Sequence, residues 1–204
     1  MMQGPWLAKK FVTDYLASDI PHRIIEHRNA WQLDSERLPD PELYVAYEPA
    51  GLEVWPTIIT IQMNTASLTR TDYANWSTDP NYRVTYNLRT YIWVRGEGPE
   101  QTTESRDRLT AVVRASILDH AAMQVLSTGF FSHADADVLM DETSLREEYS
   151  DLSYAKGDRV IAGAYLAYEL SLNEQITRTK LSDIDEFDIE GSNLGWADVL
   201  PEEP

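Results

Sequence analysis

Between Tyr82 and Arg95 the chain alternates strictly. The even positions are Tyr82, Val84, Tyr86, Leu88, Thr90, Ile92 and Val94, and the odd ones are Arg83, Thr85, Asn87, Arg89, Tyr91, Trp93 and Arg95. Period two puts each set on its own face of a β-strand. These fourteen residues exceed the usual strand of about 5–6 and span roughly 45 Å at about 3.3 Å per residue. A compact chain of this size has a radius of gyration of only about 17 Å. Such a strand is expected either to bend sharply or to project.

The other elements read less sharply. Apolar residues at 6, 7, 11, 12, 15 and 16 follow Pro5 at helical spacing and predict a short helix. Ser18, Asp19 and Pro21 are expected to end it, because proline cannot continue a helix. Residues 28–42, with two prolines among charges, read as an irregular surface connection. Leu43–Tyr47 and Trp55–Asn64 read as strands, and the polar stretch 65–81 as a loop or hairpin excursion.

After Gly96, Gly98 and Pro99, a second helix is expected to start near Thr102 or Thr103. Its inward stripe would be 109, 112, 113, 116, 117 and 121, with Arg106, Asp107, Arg114 and Asp119 turned away. Residues 122–158 give no clear pattern. Arg159–Leu172 is apolar or small on both faces and is placed centrally in the sheet, where antiparallel pairing with 82–95 is compatible with the pattern. The order implies a sheet with helices to one side.

Composition narrows the function. The 204 residues carry 17 Lys and Arg against 34 Asp and Glu, a formal charge of −17, and no cysteine. Absent thiols exclude disulfide frameworks, thiolate metal sites and cysteine nucleophiles. The acid excess argues against gripping DNA or an anionic membrane, which is the work of Lys and Arg. No run approaches the length of a membrane span, and the amphipathic start, broken by Lys9 and Lys10, is not expected to be an export signal.

Catalytic motifs are not found: no nucleophile elbow, zinc-protease helix, phosphate loop or dinucleotide fingerprint. The nearest approach to a metal cluster is His133, Asp135, Asp137, Asp141 and Glu142, which lacks the glycine and closing glutamate of a calcium loop. It reads as a solvated acidic loop before an edge strand or turn. His22, His27, His120 and His133 are scattered. No enzyme activity, cofactor or metal is expected.

Thirteen of the seventeen basic residues are Arg, the side chain suited to planar, bidentate pairing across interfaces. Arg83, Arg89 and Arg95 share the odd face of the long strand with Tyr91 and Trp93. Arg with aromatics is the composition of protein interfaces, so these five are candidate contact residues. The plainer alternative, ordinary exposed charges, stays open.

The last 24 residues, 181–204, hold eight acids and no Lys or Arg, yet also Ile184, Phe187, Ile189, Leu194, Trp196 and Val199. Acidic segments with apolar anchors commonly order on a partner. Phe187 and Trp196 are the candidate anchors.

The amphipathic N-terminal helix, the RNAW and LPDPELY connection, the WPTIITI strand, YNLRTYIWVR followed by SRDRLTAVVRASIL, and the late GDRVIAGAYLAYEL strand together resemble the tail terminator (tail-completion, tail-to-head joining) proteins of long-tailed bacteriophages. The resemblance covers about residues 6–175 and rests on segment order and wording. It implies an α+β fold, with a mixed, mainly antiparallel sheet of long strands flanked by two or more helices. The domain would occupy 1–175 and an acidic C-terminal arm 176–204.

The resemblance also implies a virion protein, assembled in the host cytoplasm as a hexameric ring. That ring would cap the finished tail tube and meet the head-completion or neck protein on its other side. DNA would pass through its lumen unbound. A head-closure or neck connector role, a non-viral acidic adaptor, and a carboxylate hydrolase using a divalent ion near 133–142 remain alternatives.

Overall fold

The structure is a computed structural model that describes residues 4–49, 51–71, 80–119, 123, 138–149, 154–156 and 159–175. Among them are two helices, α1 (Pro5–Trp31) and α2 (Pro99–Ile117). The strands are β1 (Leu43–Val45), β2 (Thr57–Arg70), β3 (Asn81–Gly96), β4 (Val138–Tyr149), β5 (Tyr154–Lys156) and β6 (Arg159–Gln175). They form one sheet in the order β1-β2-β3-β6-β4, with β5 also on β6. Only β1 with β2 is parallel. The fold is therefore α+β on a mixed, mainly antiparallel sheet.

The length of β3 is met by equally long neighbours. It pairs with β6 without interruption from Asn81 to Gly96, from Gln175 back to Val160, and with β2, across two bulges, from Tyr82 to Trp93. Its alternation becomes burial: Val84, Tyr86, Leu88, Thr90, Ile92 and Val94 are buried, while Arg83 to Trp93 on the odd face are half-buried. Both helices lie over the even face. Phe11, Leu16, Ile20 and Ile24 of α1 and Leu109, Val113 and Ile117 of α2 share the main core with Leu88, Ile92, Leu166 and Leu170. Tyr168, fully buried in that layer, donates or accepts across 2.9 Å to Thr90, which reaches Thr60 at 3.2 Å, so the buried hydroxyls are satisfied.

Three expectations are corrected. First, α1 does not stop before Pro21 but runs to Trp31. Pro21 stands on the solvent side, as does the exposed Ala17 one turn earlier, whose carbonyl loses a helical partner in a place where water can reach it. Ile20 and Ile24 on either side are fully buried. Their burial, about 1.5–3 kcal/mol each, matches or exceeds the roughly 3 kcal/mol cost of a helix-interior proline. Arg23 adds ion pairs to Asp19 and, at 2.5 Å, to Asp119 beyond α2.

The helix ends instead at Gln32, in left-handed geometry with φ 51°. The connection that follows is pinned to the body and does not simply run over the surface. Arg28 donates to the Leu38 carbonyl at 3.0 and 2.6 Å, and Leu38 is buried.

Second, β2 does not end at Asn64 but continues to Arg70, into the stretch read as a loop or hairpin excursion, where it stays paired antiparallel with β3. Single-residue bulges at Met63 and Ala66 break its register, and residues 63–69 are exposed. Residues 72–79 lie outside the described residues.

Third, α2 begins at Pro99, where the missing N–H costs nothing, and Arg106 is not turned away. Arg106 is only 9% exposed. Its guanidinium lies 5.0 Å over the Tyr149 ring of β4 and pairs with Asp107, so its stem fills the seam between helix and edge strand. Position 121 and the acidic arm 176–204 lie outside the described residues.

Candidate interface on the open face of the sheet

The face of β3 opposite the helices carries all five candidate strand residues, and the register shows what they meet. Tyr91 is paired directly with Tyr165 of β6, and their rings stand 5.3 Å apart at 45°. Arg89 places its guanidinium 4.8 Å over the Tyr165 ring and contacts the Tyr91 hydroxyl at 3.5 Å. Glu148 of β4, opposite Tyr165, accepts the Tyr165 hydroxyl proton in a hydrogen bond, which raises the phenol's pKa because losing the proton would set two anions together.

Toward the start of β6, Trp93 covers Gly163. The exposed Arg95 lies 5.6 Å over the ring of Trp55. Tyr91 and Trp93 also pack on a small second core of Val45, Ile59 and Ile61, with Leu43 and Leu52 at its margin. The aromatic half of the face is thus anchored from both sides of β3.

The other half is polar. Arg83 donates to Asn173 at 3.3 Å, Thr85 and Ser171 hydroxyls meet at 2.8 Å, and Asn87 donates to Asn64 at 2.9 Å. Arg83 is therefore not part of the aromatic cluster, from which it stands about 20 Å away along the strand. Acids enter this face from β6 and β4, as Glu169 opposite Asn87 and Glu148 opposite Tyr165. The face is mixed in charge, not basic.

Sequence reasoning did not single out Trp55, Tyr165, Gly163 or Glu148. Tyr165 and Gly163 carry a usable signal: once 159–172 is paired antiparallel with 82–95, a glycine opposite a tryptophan and a tyrosine opposite a tyrosine mark where β3's rings sit. Phe187 and Trp196 lie outside the described residues, as do His120, His133, Asp135 and Asp137.

A hollow of about 510 Å³ opens where β3 ends and α2 begins. Glu36, Asp40, Glu42 and Glu97 line it together with Arg95 and Arg159. Among the described residues no three of His, Asp and Glu are grouped to hold a metal ion. No helix among them is long and apolar enough to cross a membrane. The open face thus presents stacked rings, a guanidinium over one of them and paired polar side chains. No protein-family model matches the chain, and no curated protein is significantly similar to it.

Proposed function

We propose that the chain is a structural subunit of a phage virion. Six copies form a ring that caps the finished tail tube and joins it to the head-completion or neck protein. The observation that carries this reading is the open aromatic and arginine face of β3 and β6, centred on Tyr91, Tyr165 and Arg89. A closed ring needs two different complementary surfaces on each subunit. A broad face that no helix among the described residues covers, bearing the residue types that dominate interfaces, is suited to be one of them.

The segment order shared with tail terminator proteins supports the same reading. So does the charge: with −17 on the chain, a lumen lined by this protein would repel passing DNA. In this role the protein acts without catalysis, metal or cofactor.

Electron microscopy of the purified chain mixed with tail tubes that lack a terminator tests the proposal. Rings at one tube end support it. Rings that bind a neck or head connector and ignore tubes point to the head-closure role, and absence of any ring contradicts both.

A further inference from the structure

We infer that the outer edge of β2 is a docking edge for the same strand of a second copy of this chain. β1 pairs only with Thr57–Ile59, and the outer backbone edge of Thr60–Thr69 has no partner among the described residues. An uncovered edge is a template for another strand, and proteins that keep such an edge free usually charge it. Here the opposite is found. Residues 54–69 are sixteen positions without a single charge, in a chain of net −17. Met63 and Leu68 on this edge are 47% and 59% exposed.

The charge pattern selects the partner. Two copies of so acidic a chain repel, and their approach is least opposed where charge is absent. Antiparallel pairing of this edge on itself places no like charges opposite one another. A two-fold axis normal to the sheet passes between a residue and its own copy, so an axis at Thr65 sets Thr65 against Thr65 and Gln62 against Leu68. The bulges confine a backbone ladder to short runs, which leaves Met63 and Leu68 to supply much of the contact.

The other sheet edge is unsuited to the same use. Self-pairing of β4 about Leu145 would put Glu142 against Glu148, and about Ser144 Asp141 against Glu147, and its register on β6 is broken between Asp141 and Arg146. This contact does not depend on the ring.

The chain has no cysteine, so a Thr65→Cys variant carries one thiol and a bis-maleimide can join it only to another copy. Thr65→Cys is expected to cross-link to a dimer at least tenfold faster than Thr143→Cys on β4. Adding Leu68→Lys, at an exposed site the fold tolerates, is expected to remove that advantage while circular dichroism stays unchanged. Equal cross-linking at the two sites, none at either, or cross-linking indifferent to Leu68→Lys overturns the edge contact. Rings that persist when it fails leave the ring reading standing.

Discussion

The indole of Trp93 lies against Gly163, its direct partner across β3 and β6: a Cβ built on Gly163 would stand 2.7 Å from the ring atom Cζ3. The glycine is there to seat the ring. Gly163→Ala is expected to push Trp93 off the sheet and to lower stability by about 1 kcal/mol in urea titration. In a Trp93→Ala background the same change is expected to be neutral or slightly stabilising, because alanine suits a strand better than glycine. An equal loss in both backgrounds would contradict the seating.

Arg23 ties α1 to the end of α2. It pairs with Asp19 and Asp119, and the same Asp19 carboxylate accepts from Ser116 at 2.5 Å, while Tyr15 donates to the Ser116 carbonyl at 2.7 Å. Burial pushes the Tyr15 phenol up to about 12, so it stays a donor throughout the working pH range. Arg23→Ala strands two partly buried carboxylates and is expected to cost about 2 kcal/mol. Lys10→Ala, which breaks the exposed pair with Asp14, is expected to cost under about 0.5 kcal/mol in the same denaturation series.

Glu174 supplies a pH dependence of known sign. Its carboxyl accepts from the Tyr86 hydroxyl at 2.5 Å and from the Gly4 backbone N–H, yet burial outweighs both and raises its pKa. A carboxyl whose folded pKa lies above its unfolded value contributes stability at low pH, and that contribution is lost as pH rises through the folded value. Wild type is therefore expected to lose stability relative to Glu174→Gln as pH rises out of the ordinary carboxylate range toward neutrality. A relative gain over that range would show that the two donors win.

How much of this could be read in the chain follows from which residues differ between faces. The 82–95 strand is legible because helices cover Val84 to Val94 on one side and leave Arg83 to Arg95 on the other, which forces period two. The far half of β2 is not, since Met63 to Thr69 are exposed on both sides and nothing there requires alternation. β4 is hidden by Asp141 to Glu148, an acidic run that an edge strand tolerates and a buried one would not. Pro21 misled because its cost is local, whereas the burial of Ile20 and Ile24 that offsets it depends on the rest of the fold.

Of the candidate face, the arginines and rings of β3 are visible as a stripe. Trp55, Tyr165 and Glu148 come from distant segments, and only the register brings them to Arg95, Tyr91 and Arg89.

If that face joins subunits, reversing its charge should separate assembly from folding. Arg89→Glu reverses the charge at the centre of the face and removes the guanidinium from Tyr165. It is expected to weaken self-association at least tenfold, with a loss of about 1 kcal/mol or less in monomer stability. Analytical ultracentrifugation beside urea denaturation checks both, and unchanged association would remove the face from the interface.

The ring is tested most directly by electron microscopy of the wild-type chain added to tail tubes that lack a terminator. Six-fold rings seated at one end of each tube, halting further growth, are the expected result. Tubes that keep growing with bare ends, beside a chain that stays monomeric or dimeric in sedimentation, would contradict it.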